Sequence, residues 1–157
     1  MPRGMLHWSE LRELAASVSD EALRARQASV NCHDVVNMQY TSGTTGFPKG
    51  VMLTHYNILN NGKCIGDNQV LTYRDRVCLP VPFFHCFGCV LGIMACITHG
   101  STIVPVERYH PVRVMHTIQA ERCTATYGVP TMYIAMLEHP DFSKYDFSSL
   151  RTGIMSG

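Results

Sequence analysis

Tyr40-Thr41-Ser42-Gly43-Thr44-Thr45-Gly46-Phe47-Pro48-Lys49-Gly50 follows a β-branched and aromatic run, Val35 to Thr41, and leads into a second extended stretch, Val51-Met52-Leu53. Such a segment suits a loop delivered by a strand. Its glycines let backbone N–H groups turn toward an anion, its Ser and Thr hydroxyls add donors, and Lys49 adds a charge that reaches phosphoryl oxygens. The spacing is not that of a Walker loop, which requires Gly-Lys-Ser/Thr, because Pro48 precedes the lysine and Gly50 follows it. The glycine pattern of a dinucleotide-binding turn is missing as well. A plain Gly/Ser/Thr linker would gain nothing from Pro48-Lys49-Gly50.

Outward from this loop, the chain alternates between strand and helix patterns. Ser9 is placed to cap an opening helix whose stripe is Trp8, Leu11, Leu14, Ala15 and Val18, and Ser19-Asp20-Glu21 starts a second one running through Arg26. Both read as packing elements. Thr54 is placed to cap a helix that runs from His55 toward Gly66. Strands are expected at Arg76–Val81, Thr102–Val106, Thr124–Gly128 and Arg151–Met155. Helices are expected between them at Phe87–Thr98, Pro111–Glu121 and Pro130–Glu138, two of which open on proline. The alternation predicts an α/β layered fold with a largely parallel sheet and flanking helices. Such sheets bind ligands at the carboxyl ends of strands, so the loop after Thr41, the turn at Phe83–His85 and the turn at Val129-Pro130 are expected on one rim.

The 157 residues suit one domain, and 46% hydrophobic with 16% charged residues is a globular composition. A formal net charge of +1, without any Lys/Arg run, argues against a nucleic-acid partner. The odd count of seven cysteines lacks the framework of a small secreted domain, and several lie in apolar runs, which points to reduced thiols. The start has no secretory pattern, and the apolar run from Cys86 to Thr98 falls short of the roughly 20 residues that span a bilayer. A cytoplasmic location is the expectation, or a mitochondrial one if the full protein carries a transit peptide. Cys86-x-x-Cys89 beside His85 has no second ligand pair at zinc-site spacing, so its thiols, with Cys96, are expected as small hydrophobes in a buried helix, and no metal site is expected from a side-chain cluster.

Thr41-Ser42-Gly43-Thr44-Thr45-Gly46-Phe47-Pro48-Lys49-Gly50, continued by Leu53-Thr54-His55-Tyr56-Asn57, resembles the signature of the adenylate-forming (AMP-binding) superfamily. Pro80-Val81-Pro82-Phe83-Phe84-His85-Cys86-Phe87-Gly88 resembles that family's next motif, and Tyr127-Gly128-Val129-Pro130-Thr131 the strand and turn bordering its acyl pocket. Within the superfamily, His139-Pro140-Asp141-Phe142 and the final Leu150 to Gly157 are most similar to medium-chain fatty acyl-CoA synthetases. The resemblance runs from about Met5 onward, yet family members are several times longer. It implies a part of the large N-terminal domain, with the acidic Tyr-Gly-x-Thr-Glu segment, the ribose-binding Asp, the hinge and the small C-terminal domain with its catalytic lysine all outside this chain.

The reaction implied by the resemblance joins a fatty acid or other carboxylate to the α-phosphate of ATP, expels pyrophosphate, and passes the acyl group to CoA, with magnesium as the triphosphate's counter-ion. It assigns Thr41, Ser42, Gly43, Thr44, Thr45, Gly46 and Lys49 to the phosphates, and Phe84, His85, Tyr127, Gly128, Val129 and Thr131 to the acyl and adenylate pocket. Ser156 and Gly157 would begin the adenine loop. A neutral His85 imidazole offers one donor and one acceptor, which fits contact with a carbonyl or phosphoryl oxygen without requiring it to act as a base. Among the nine methionines, Met132 and Met136 are candidates to touch a flexible acyl chain. Two other readings remain open: a non-catalytic nucleotide-binding or interaction protein that keeps the loop, and an amino-acid adenylation segment.

Overall fold

Between Asp34 and Val35 the chain divides into two compact units, and the computed structural model describes residues 4–42 and 46–156. The first unit carries a 3-10 turn (Trp8–Glu10), α1 (Leu11–Ala15) and α2 (Asp20–Ser29). As the sequence predicts, Ser19 caps α2 by accepting the Ala22 N–H at 3.1 Å, and acidic residues fill its first turn. The opening helix departs from expectation. His7 rather than Ser9 caps it, its Nδ1 accepting the Ser9 N–H at 3.3 Å while its own N–H donates to the Glu10 carboxylate at 3.0 Å. The predicted stripe is not a packed face either, since Trp8 is 84% exposed and no residue of these helices is buried. Two short helices enclose too little volume to bury side chains on their own.

In the second unit, β1 (Val35–Thr41) and β2 (Lys49–Thr54) pair antiparallel, with Tyr40 opposite Gly50 and Thr41 opposite Lys49. This corrects the expected common rim of three loops: the glycine-rich segment joins a separate two-stranded ribbon rather than following a strand of the parallel sheet. The reason is connection length, because residues 42–48 suffice for a hairpin whereas parallel neighbours need a crossover of about a dozen residues or more. At the other end of β2, Thr54 and Asn57 form a reciprocal cap. The Asn57 N–H donates to Thr54 Oγ1 at 3.2 Å and the Thr54 N–H to Asn57 Oδ1 at 3.1 Å. This cap starts α3 (His55–Asn68).

The rest of the unit is built on a parallel sheet in the order β4 (Thr102–Pro105), β3 (Arg76–Leu79), β5 (Ala125–Gly128), β6 (Thr152–Met155). A π-helix (Phe87–Met94) running straight into α4 (Ala95–His99) connects β3 to β4; α5 (Pro111–Ala120) connects β4 to β5, and α6 (Pro130–Leu137) connects β5 to β6. Alternation along the strands splits the interior into two cores. Val77, Leu79, Ala125 and Tyr127 pack with Phe87 and Cys96 on one face, whereas Cys78 and Val104 meet Val114, Ile118 and Met136 on the other. Near-continuous apolar strands are what a sheet covered on both faces requires.

The segment predicted as one helix from Phe87 to Thr98 is π-helical through Met94, and glycine explains how it seats. A side chain at Gly88 would collide with the Pro82 carbonyl, and a Cβ on Gly62 of α3 would lie 2.5 Å from the Met94 Cβ. Gly62 and Gly66 thus let α3 lie directly on this helix pair.

At the amino ends of the strands, Asp75 is 4% exposed and collects donors from three segments. Arg151 binds it bidentately, Nε to Oδ1 at 3.0 Å and Nη2 to Oδ2 at 2.8 Å. Thr124 Oγ1 donates at 2.7 Å, and the Thr72 N–H and hydroxyl donate at 2.8 and 3.0 Å. Burial pushes the carboxyl pKa up, but the bonds from Arg151, Thr124 and Thr72 outweigh it and hold the group at about 2 instead of 3.8. A depressed carboxylate stabilises the fold fully above its unfolded value and loses that contribution as pH falls through the folded value. Asp75→Asn is therefore expected to cost about 3 kcal/mol in denaturant unfolding at pH 7. The gap to wild type should shrink by about 2 kcal/mol between pH 5 and pH 2. A gap independent of pH would contradict the charge assignment.

Val70 closes α3 with φ +53°, and its carbonyl accepts from Arg151 Nη2 at 2.8 Å. A β-branched residue in the left-handed region is strained, and this side chain is 68% exposed, so packing offsets little of the strain. Val70→Gly is expected to raise unfolding stability by about 0.5–1 kcal/mol, measured as a denaturation midpoint at unchanged slope. A lowered midpoint would show that the valine contacts dominate.

Candidate active site

Order in the sheet fixes where a ligand can enter. The chain leaves β3 for β4 on one side and returns from β4 to β5 on the other, with the π-helix and α4 covering one face and α5 the opposite face. The carboxyl ends of β3 and β5 therefore flank a topological switch point, where neighbouring loops part in opposite directions and leave a crevice. A cavity of about 350 Å³ lies there, lined by Val81, His85 and Leu91 from the β3 side, Val129 and Met132 after β5, and Ser156 after β6.

Two of the three sequence motifs thus converge. His85 is exposed, and its Nδ1 accepts the Phe87 N–H at 3.1 Å with the Cys86 Sγ at 3.6 Å. That bond commits the Nδ1 lone pair, so in the neutral ring the proton sits on Nε2, leaving a donor on a side chain that lines the cavity. The expectation that Cys86 packs as a small hydrophobe fails, because it is exposed at the cavity wall, whereas Cys96 is buried as expected. The Ser156 N–H donates to the Gly128 carbonyl at 3.2 Å, which holds the end of β6 against that of β5.

The other pocket residues are placed differently. Tyr127 is 1% exposed, points away from the cavity into the core, stacks on Phe87 at 6.0 Å between ring centroids, and its hydroxyl accepts from Gln69 Nε2 at 2.6 Å. Burial pushes its pKa up to about 12, against the opposing Gln69 bond, so it stays a neutral structural phenol. Strand alternation puts Tyr127 beside Ala125 on the face packed by Phe87 and Cys96, and β5 ends at Gly128, before Val129 reaches the rim. Gly128 is buried in β5, where an added Cβ would sit 3.1 Å from the Tyr133 ring. Thr131 is exposed on α6 and does not line the cavity, and Phe84, 86% exposed, belongs to an adjoining depression with Phe83, Pro105 and Glu107. Met132 lines the cavity, but Met136 is buried against the opposite core. Leu91, overlooked in the sequence reading, reaches the cavity from one turn beyond His85 and Phe87 on the π-helix.

The segment expected to bind phosphates stands apart. Thr41 and Lys49 face each other across the ribbon, Ser42 follows Thr41, and Gly46 adopts φ +85°, the left-handed region that favours glycine. Gly43, Thr44 and Thr45, like Gly157 of the adenine-loop assignment, lie outside the described residues. Leu53, four positions from Lys49 and so about 13 Å along the strand, lines a groove with Cys86. The ribbon reaches the cavity wall from its base. Among the described residues no cluster of three acidic, His or Cys side chains could hold a metal, and no helix is long and apolar enough to cross a membrane.

Comparison with known proteins agrees with this architecture. A putative acyl-CoA synthetase, YngI, of Bacillus subtilis is 56% identical over 154 residues, covering 98% of this chain and 28% of that protein. The mitochondrial medium-chain acyl-CoA ligase ACSF2 of Danio rerio is 42% identical over 151 residues, covering 94% and 25%. The crystal structure of the N-terminal domain of FACL13 from Mycobacterium tuberculosis superposes with a TM-score of 0.70 at 26% identity, covering 94% of this chain and 42% of that one. The chain thus spans about a quarter of the length of these curated relatives. With residues 4–157 matching the profile of the AMP-binding enzymes, and a parallel sheet whose switch point joins two of its motifs, the chain belongs to the AMP-binding enzyme family.

Proposed function

We propose that this chain is the phosphate-binding and acyl-binding part of the large domain of an AMP-forming carboxylate–CoA ligase acting on a fatty acid. The observation that carries the reading is the apolar cavity at the switch point, with His85, Val129 and Ser156 on its wall, in a chain of the AMP-binding family. Its volume, about 350 Å³, lies in the range of small-molecule sites. Val81, Phe87, Leu91, Val129 and Met132 offer an alkyl chain a continuous apolar wall, worth about 0.8 kcal/mol per buried methylene. The carboxylate end would lie toward His85 and Ser156, the polar side chains of the cavity.

ATP would supply the adenylyl group. The donors on the ribbon fit a triphosphate in kind: the Thr41 and Ser42 hydroxyls, the backbone opened by Gly46, and the Lys49 ammonium, with Thr44 and Thr45 assigned from the sequence alone. Magnesium would arrive as the nucleotide's counter-ion. The role of these groups is to orient the phosphates and spread the charge that builds on departing pyrophosphate. His85 would position a carbonyl or phosphoryl oxygen through Nε2–H. The adenine loop, the thioester step and the catalytic lysine belong to the longer protein, whose location we place in the cytoplasm or, as for ACSF2, in mitochondria.

Lys49→Ala, made in a ligase of full family length that carries this segment, tests the reading. Loss of one charge-assisted hydrogen bond, about 1.5–3 kcal/mol, predicts ten- to hundred-fold slower fatty-acid-dependent pyrophosphate exchange. Thioester formation from supplied acyl-adenylate should change far less. An intact exchange rate with thioester formation abolished would overturn the phosphate assignment.

A further inference from the structure

Val129 and Met132 form the part of the cavity wall that follows β5, and their own helix holds them weakly. α6 is eight residues long and opens on Pro130 without a side-chain cap. Its first turn closes on one carbonyl, that of Val129, which accepts the Met132 N–H at 2.9 Å and the Tyr133 N–H at 3.4 Å. A helix this short has little stability of its own, so its placement comes from what it meets outside itself. Two phenols grip it. Tyr133, on α6, reaches the Thr126 and Ile154 carbonyls at 3.0 Å each. Tyr109 comes from the loop after β4, which stands on the far side of β3 from β5, and donates its hydroxyl to the Met132 carbonyl at 2.6 Å. Its half-buried ring packs on the core that contains Cys78, Val104 and Met136. Burial pushes the phenol pKa up, so the group stays a neutral donor near neutral pH.

We infer that Tyr109 is a positioning residue for the proposed acyl site: through the Met132 carbonyl it sets where the first turn of α6 lies, and hence where Met132 and Val129 stand on the cavity wall. The role rests on the acyl-site reading above and adds to it a side chain that lies outside the cavity lining. Val129 and Met132 are three positions apart, so one helical turn carries both to the cavity. A slide or rotation of that turn moves both at once. The phenol opposes such a shift in a way that the ring alone does not, because apolar contact is non-directional and a hydrogen bond is directional. A loop after one strand thereby fixes the wall built after another, and the bond crosses the core between them.

Tyr109→Phe keeps the ring and removes only the donor. In a ligase of full family length that carries this segment, the KM for a medium-chain fatty acid is measured at saturating ATP, the KM for ATP at saturating acid, and the denaturation midpoint alongside. A neutral hydrogen bond of ordinary net strength converts to about two- to tenfold, so the KM for the acid should rise by that factor while the KM for ATP stays unchanged. Met132→Ala, which takes the side chain off the wall, should by itself raise the KM for the acid. In that background Tyr109→Phe should have a smaller effect on it, since the side chain that the phenol places is gone. A hydroxyl that serves stability alone would lower the midpoint and leave the KM for the acid as in wild type, and that result overturns the positioning role. Equal effects of Tyr109→Phe on this KM in the two backgrounds overturn it too. If Met132→Ala leaves the KM for the acid unchanged, the acyl-site reading falls with it.

Discussion

One buried carboxylate holds the amino ends of the sheet together. Asp75 precedes β3, Thr124 precedes β5, and Arg151 precedes β6, so the bonds that converge on Asp75 tie the starts of three strands to one point. The same guanidinium donates to the Gln69 and Val70 carbonyls at the end of α3. One charged cluster thereby fixes three strands and the helix that covers them. Strands aligned at their starts and of nearly equal length end at one depth, and that depth is the floor of the crevice where His85, Val129 and Ser156 meet. The strained backbone at Val70 belongs to this cluster, which has the number of bonds needed to hold an unfavourable dihedral in place.

Above that floor the site is shaped by close approach rather than by bulky packing. Glycines at 62 and 88 bring α3, the π-helix and the Pro82 turn within backbone contact, and Gly66 makes room for the His99 ring, where side chains would force them apart. The π-helix itself is wider than an α-helix and carries one extra residue per turn-closing bond, a geometry that recurs at functional sites. Here Leu91 reaches the cavity from the helix itself, and His85 and Cys86 from the two residues that lead into it. Tyr133 performs a related task on the opposite face, its hydroxyl lying 3.0 Å from the carbonyls of both Thr126 and Ile154 and so clipping β5 to β6 beneath α6.

Much of this was legible in the chain because it is local. Apolar runs alternating with helix patterns, Pro111 and Pro130 at first turns, and Thr54 as a cap are all decided by neighbours in sequence, and all appear in the structure. The residues that carry the site were legible as motifs, but which side of a strand each faces was not. Tyr127 and Val129 share a motif and a parity, yet one is core and the other rim, because the strand ends between them at Gly128. Leu91 carried no signal at all: a leucine in an apolar helix is indistinguishable from core until the crevice beside it is known. The hairpin was misplaced for another reason. Strand character at Val35–Thr41 says that a strand exists, not which partner it takes, and the partner came from the short connection to Lys49. His7 displaced Ser9 as a cap because an imidazole nitrogen is an acceptor that residue-type preferences at helix starts undervalue.

The ribbon raises a last point about how the two halves of the site are connected. A two-stranded sheet is marginal by itself, and here Met38, Val51 and Met52 are exposed on it. Its alignment within the unit is inherited through the junction of β2 with α3, where Thr54 and Asn57 cap each other and fix the angle at which strand becomes helix. α3 in turn lies on the π-helix that begins two residues after His85. The motifs proposed for phosphate and acyl binding, separate in the sheet topology, are thus connected along the chain through one helix cap.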